Sequence, residues 1–425
     1  MSTLSNARLG SANTYDTAVR NITSRQTALS ALQENLTSGK RVVRASDDPT
    51  SAAIAERALT RIGRIATDQR ALASQVNAIT QAESVLGDVT DALQRFRELT
   101  VSAGNGTHSA AERKTIAQEM QGLRDQIYAL ANREDSNGQP LFSALGSALQ
   151  PFVGPQTAAP DYTFNGLPGQ SGGSDVSIPF ALDGDSAFML DPSRDASYTV
   201  SVSTIPTGRT LTTSTVKDTD LNLITGHDYA VTFSAVGPSA TAGKTTASYT
   251  ITDKTLGTSS ATVLIPDFPS DKPLSLEISA AANGTVNIPG LTLTITGTPG
   301  TGDVVSVDAN ASLFSVLDNA IKNIGEATSN SSSSQAVSQA LHNIDIGMQR
   351  VSAARGQAGE LLNRADRISG NQDKRGIQME ADRSRAEDLD MVKGISDFQN
   401  LQTGYQVAMQ TYAQIQKLSL FDFIR

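Results

Sequence analysis

Cysteine and tryptophan are both missing from the 425 residues. Without cysteine there are no disulfides, thiolate metal sites or cysteine nucleophiles. Nothing covalent would stop this chain from being threaded unfolded through a pore. Aromatic residues make up only 5% and hydrophobic residues 38% of the chain. That is lean for a compact enzyme, but it suits long helices that bury one stripe, combined with a Ser/Thr/Gly-rich β region. No run of about 18 apolar residues occurs, so no membrane insertion is expected. The opening MSTLSNARLGSANTYD has no apolar core of the kind a signal peptide needs. The chain therefore reads as cytosolic, or as exported without a cleaved signal.

Enzyme motifs are missing too. HExxH, GxGxxG after a strand, GxxxxGK[ST] and GxSxG do not occur. His108, His227 and His342 are far apart and read as surface residues. Asp183-Gly-Asp185 begins like a calcium loop but lacks the bidentate Glu, so it reads as a turn. No catalytic group, metal or cofactor is expected. A net charge of −9 argues against a nucleic-acid partner. That charge is concentrated: residues 151–308 hold fifteen Asp/Glu and six Lys/Arg, while the rest balances at 28 against 28. The middle reads as a solvated outer module, and the flanks as surfaces that meet something.

Proline marks the boundaries. Thirteen of fifteen lie between 151 and 299, and proline breaks helix interiors, so only the flanks are free to form long helices. Those flanks carry heptads. Tyr15, Ile22, Leu29 and Leu36 recur every seven residues, as do Ile65, Leu72, Ile79, Leu86 and Leu93. Ile116, Met120, Leu123, Ile127 and Leu130 alternate four and three. Val337, Leu341, Ile344, Met348, Val351, Ala358 and Leu362 continue the rule after the centre, and Phe398, Leu401, Tyr405, Tyr412 and Ile415 close it. Such seams pack on other seams. The span from Pro49 to Ala103 is long enough for one rod of roughly 80 Å at 1.5 Å per residue. Gly104-Asn-Gly106 ends it, and Ser109-Ala-Ala-Glu112 is a capping box that starts the next helix. TSNSSSSQ at 328–335 reads as a loop between two helices. From about 150 to 308 the period falls to two, in short Thr/Ser-rich runs punctuated by Gly, Pro, Asn and Asp.

The predicted fold class is α+β: a long antiparallel helical coiled-coil bundle from the N- and C-terminal segments, with an inserted all-β domain of sandwich or barrel type. The domains are 1–36, a terminal helix for assembly; 37–149, coiled-coil helices; 150–308, the solvent-facing β domain; 309–380, the returning coiled-coil helices; and 381–425, a last assembly helix.

The segment SGKRVVRASDDP at 38–49 is a charged break between helical patterns. Gly39 stands where a helix stops, Lys40 and Arg41 suit its negative end, and Asp48-Pro49 starts the next helix. An extended VVR bridge is expected between them. Arg44 and Asp47 are required by neither cap. Arg41, Arg44, Asp47 and Asp48 are therefore candidates for contact with a second copy, together with the seam of Tyr15, Ile22, Leu29 and Leu36. Phe398, Leu401, Tyr405, Tyr412, Ile415 and Leu418 form a second candidate face. Terminal helices this polar are marginal alone, so they are expected to be ordered by one another and by other subunits.

SGKRVVRASDDPTSAAIAERAL, NREDSNGQPLFSAL, LNRADRI and AEDLDMVKGISDFQNLQTGYQVAMQTYAQIQKLSLFDFIR resemble signatures of the bacterial flagellin superfamily. The resemblance covers about 150 residues at the start and about 110 at the end. The forms SGKRV and SDDP, the phrase ITGTPGTGD and the ending LSLFDFI resemble the superfamily's junction members more than its filament subunits. The resemblance implies a structural, non-enzymatic subunit of the flagellum, exported unfolded by the flagellar type III route to form an adaptor layer between hook and filament. The implied partners are further copies of itself in a ring-like homo-oligomer, a hook-associated neighbour on the hook side, flagellin on the filament side, and a cytosolic export chaperone. It also implies that the face from Phe398 to Leu418 serves the chaperone first and assembly later. The alternatives are a filament subunit and, from another class, a carbohydrate-binding adhesin with the helices as stalk.

Overall fold

The computed structural model describes residues 3–157, 160–204, 210–279 and 288–423, with side chains described at 13 and over 15–414 within those ranges. In chain order the elements are α1 (Thr3–Ser38), α2 (Pro49–Ala103), α3 (Ala110–Ala131), β1 (Phe152–Val153), β2 (Thr163–Phe164), the short helices α4 (Gly184–Phe188) and α5 (Pro192–Asp195), β3 (Tyr198–Ser203), β4 (Leu211–Thr213), β5 (Lys217–Asp218), β6 (Tyr229–Pro238), β7 (Lys244–Asp253), β8 (Thr258–Ser259), β9 (Val263–Pro269), β10 (Leu274–Ser279), β11 (Leu291–Gly297), β12 (Val304–Ala309), α6 (Leu313–Gly325), α7 (Asn330–Glu387) and α8 (Met391–Phe423). They sort into two compact units, residues 1–70 with 368–425, and residues 71–367.

In the larger unit the heptad seam is the core. Ile79, Leu86, Leu93 and Phe96 of α2 are fully buried, as are Ile344, Val351 and Ala358 of α7. Each such Ile, Leu, Val or Phe side chain stabilises by about 1.5–3 kcal/mol relative to exposure. Ion pairs flank the seam: Arg97 to Asp345 at 2.9 Å and Arg355 to Glu83 at 2.7 Å, so the two helices run antiparallel. Ser109 and Glu112 form the reciprocal capping box of α3. α3 packs on α6, and the contact holds an ion pair between buried Arg124 and half-buried Asp318. Arg124 grips Asp318 with two bonds of 2.7 and 2.8 Å, and the Tyr162 hydroxyl donates to the same carboxylate at 2.6 Å.

The serine run at 328–335 is not a loop. α7 already begins at Asn330. Ser329 and Ser332 bond each other's backbone N–H at 3.1 Å in a local cap, and Ser333 is buried with its hydroxyl on the Ala103 carbonyl at 3.1 Å. Tertiary packing overrides the weak helix propensity of serine.

All strand pairs are antiparallel. One sheet has the order β3-β12-β6-β7-β8, with β9 also on β7; another has β10-β11-β4, with β5 also on β11; β1 and β2 form a small pair. In β11 the side chains of Leu291, Leu293 and Ile295 face inward and the threonines between them outward, the alternation that a half-buried strand needs. Val231, Phe233, Ile251 and Val305 of the first sheet join Leu274, Leu293 and Ile295 of the second in one apolar core. Expected β structure from 150 onward differs from what is found: residues 141–197 are mainly irregular. There the scarce aromatics concentrate. Tyr128, Phe142, Phe152, Tyr162, Phe164, Phe188 and Phe314 form a continuous ring cluster, which gives this segment a core without sheet pairing. Asp183 caps α4, accepting the Asp185 N–H at 3.1 Å, so the DGD sequence is a helix start.

Candidate assembly surface

The smaller unit holds α1, α8, the first part of α2 and the last part of α7. α1 and α8 pack side by side. Tyr15 lies against Tyr412, with ring centroids 5.6 Å apart. A Cβ on Gly404 would stand 2.5 Å from the Arg25 guanidinium, and one on Gly394 would stand 3.2 Å from Leu36. Rising numbers on one helix meet falling numbers on the other, so the pair is antiparallel, and the two glycines let the backbones approach.

The pair is thinly covered. Ile22, Leu29, Leu36, Phe398, Leu401, Tyr405 and Tyr412 are half-buried, and Tyr15 is exposed. Ile415 and Leu418 have side chains outside the described residues. Among the described residues no large apolar side chain of α1 or α8 is fully buried. The exposed set adds Val19, Ile395, Val407, Met409 and Val392, the last 83% exposed. Among the described residues the terminal seams thus have a partner in each other without forming a dry core.

The charged corner is occupied within the chain. Gly39 takes φ +71 and ends α1. The next residues leave the helix and pair with the α7–α8 break: Arg41 N–H donates to the Glu387 carbonyl at 2.7 Å, and Leu389 N–H to the Gly39 carbonyl at 2.9 Å. Lys40 pairs with the Glu387 carboxylate, which also accepts from Arg383 at 3.0 Å. Lys40, then Arg383, hold Glu387 below the usual carboxylate range. Arg41 spans three partners: the Ala386 carbonyl at 2.8 Å, Ser51 Oγ at 3.1 Å and Asp48 at 3.3 Å. Asp48 caps α2 by accepting the Ser51 N–H at 3.0 Å. The Ser51 contacts, with Arg41, lower its pKa to about 2.

The expected extended bridge stops at Val42, which is buried. A turn follows, in which Asp47 accepts the Arg44 N–H at 2.9 Å, and Arg44 reaches back to Glu34 at 2.7 Å. Lys40 and Arg41 therefore serve a neighbouring segment and not the end of α1. The sequence reading missed Glu34, Arg383, Ala386 and Glu387. A signal for two of them, Ala386 and Glu387, existed: the basic break GKRVVR has an acidic counterpart, AEDLD at 386–390. His108, His227 and His342 come together nowhere; His227 pairs with Asp253 at 2.8 Å. Among the described residues no group of three or more His, Asp or Glu could hold a metal, and no helix is long and apolar enough to cross a membrane.

Comparison with known proteins places these features. The bacterial flagellin N-terminal helical region matches residues 11–146, and the bacterial flagellin C-terminal helical region matches 341–424, together more than half of the chain. The chain is 36% identical over 147 residues to flagellar hook-associated protein 3 of Salmonella typhimurium, covering 34% of this chain and 46% of that protein. It is 38% identical over 141 residues to the Escherichia coli protein of the same name, covering 32% and 44%. It thus spans less than half the length of these relatives. A phase 1 flagellin of Salmonella naestved is 33% identical over 123 residues, covering 29% and 24%. Among solved structures, the flagellar junction protein FlgL from Legionella pneumophila is similar with a TM-score of 0.55 and 25% identity, over 73% of this chain and 98% of that one. A Xanthomonas campestris FlgL shares the fold, with a TM-score of 0.54, 20% identity and coverage of 77% and 98%.

Proposed function

The chain belongs to the bacterial flagellin family, and from that premise we propose that it is a structural subunit of the flagellum, an adaptor joining hook to filament. The observation that carries the choice is the similarity to a flagellar junction protein over 98% of that protein's length. The identity to hook-associated protein 3, higher and over a longer stretch than that to flagellin, supports it.

On this reading α1 and α8 are assembly helices. Their half-buried seams gain cover from further copies, which form a ring-like homo-oligomer between a hook-associated neighbour and flagellin. The corner from Arg41 to Asp48 sets the relation of the two helix breaks in each subunit, and its outer charges meet the next copy. The acidic β module faces solvent. The absence of cysteine suits export as an unfolded chain to the flagellar tip. Before export a cytosolic chaperone covers α8, from Phe398 towards Leu418, and so keeps the seam from premature assembly.

Localisation tests the reading. A tagged copy should label one point between hook and filament; labelling along the whole filament would make the chain a filament subunit. Asp47→Lys, with folding checked by circular dichroism, should impair assembly; unchanged assembly removes the corner from the interface. Deleting 390–425 should abolish chaperone capture; tight capture of the shortened chain would contradict the role of α8.

A further inference from the structure

The β module meets α7 through side-chain amides where an apolar contact would be expected. Gln335, Gln339 and Asn343 are spaced four residues apart, on one face of the helix. Gln339 and Asn343 are 4% and 3% exposed. A buried amide costs stability unless its groups are bonded, and leucine would fill the same space without that demand. These amides are bonded to strand backbone. Gln339 Oε1 accepts the Val200 N–H at 3.3 Å, and Asn343 Nδ2 donates to the Tyr198 carbonyl at 2.9 Å. Gln335 Oε1 accepts the Thr213 N–H at 3.1 Å, and its Nε2 donates to Thr213 Oγ1 at 2.6 Å. Gln339 Nε2 reaches the same hydroxyl at 3.3 Å.

Tyr198 and Val200 belong to β3, and Thr213 to β4. Among the described residues each is the terminal strand of its sheet: β3 ends the order β3-β12-β6-β7-β8, and β4 ends β10-β11-β4. A terminal strand presents backbone N–H and C=O groups that can template pairing with another chain. One face of α7 takes up such groups on both sheets. The other edges use different means. β9 carries Pro266, Asp267 and Pro269, and β10 carries the exposed Glu277; proline and charge are known edge protections.

We propose that Gln335, Gln339 and Asn343 are positioning residues that close the free edges of β3 and β4, so that copies of this chain cannot join through their strands. A chain that associates through helices at high local concentration has particular need of such closure. That need rests on the assembly reading, but the closure itself is a property of the monomer and is tested there.

The full chain carrying Gln335→Met, Gln339→Met and Asn343→Leu is compared with the parent by amide hydrogen exchange, light scattering and thioflavin fluorescence. Exchange at Val200 and Thr213 should rise at least tenfold, with that at Val231 and Ile251 unchanged, and β-rich association should appear. Parental exchange at both amides overturns the proposal, as does faster exchange without association. Should the triple variant not fold, half-buried Gln335 decides alone. Gln335→Met should expose the Thr213 amide, and Gln335→Glu, which keeps the acceptor oxygen, should protect it. Equal exchange in the two variants would show that only the bulk of the side chain matters.

Discussion

The Tyr412 hydroxyl donates to the Tyr15 hydroxyl at 2.8 Å, joining positions 397 residues apart. The two rings lie against each other between α1 and α8, yet Tyr15 remains 44% exposed. This pair holds its helices together without enclosing them, and the difference is measurable.

Backbone amides of α1 and α8 should exchange faster in the monomer than those of α2 around Ile79 and Leu86, because local opening there exposes little buried apolar surface. Assembly should slow them. Equal protection of α1, α8 and central α2 in the monomer, read by hydrogen exchange, would contradict the incomplete-core account.

Leu86→Ala should cost about 2–5 kcal/mol, since Leu86 is fully buried and deletion leaves a cavity. Val392→Ala should cost under about 0.5 kcal/mol in the monomer, because Val392 is exposed, while reducing assembly. Denaturant titration and a seeded polymerisation assay check both halves of the contrast.

Lys40 and Glu387 should show a coupling of about 1 kcal/mol in a double-mutant cycle, as Lys40 is 45% exposed and Glu387 only 12%. Lys40→Glu and Glu387→Lys should each destabilise the helix breaks, and the charge-swapped double variant should recover part of the loss. Additive losses would mean that the backbone bonds between Arg41, Leu389 and their partners carry the junction alone.

Arg124→Ala should cost about 1–3 kcal/mol, because it removes the charged donor of the half-buried Asp318 carboxylate. Burial pushes the Asp318 pKa up to about 6, against the pull of Arg124. The folded chain therefore holds this proton at a pH where the unfolded chain, with an ordinary value of about 3.9, has lost it. From this group stability rises as pH falls from about 6 to about 4. Asp48, whose pKa is lowered to about 2, works in the opposite sense: its contribution is present above about 4 and is lost as pH falls through about 2. Asp318→Asn should remove the first trend and keep the second, as read by urea titrations from pH 7 to 3.

Much of the helical frame was legible in the sequence. Pro49 and Gly104 bound α2 as expected, because proline and glycine act locally. Ile79, Leu86, Leu93, Ile344 and Val351 lie in the core as their spacing required, because a seam with a 3.5-residue repeat has one way to face a partner. The candidate site was less legible. Arg44 and Asp47 stood out as charges without local employment while Arg41 read as serving the end of α1, and the partners Ala386 of Arg41 and Glu34 of Arg44 are not deducible from the segment itself. The serine run was misread because composition outweighed a cap that forms only once Ser333 is buried on α2.

The sequence by itself determined that the flanks are long helices and the centre is not, and where α2 starts and stops, because these depend on periodicity and on backbone chemistry within a few residues. Only the tertiary structure decided that two charged breaks lie against each other, that Tyr15 meets Tyr412, that seven aromatic rings form a core for an irregular segment, and that amides of α7 take up the edges of β3 and β4. Each of these joins groups far apart in the chain, and no local rule of spacing or composition encodes which distant groups will meet.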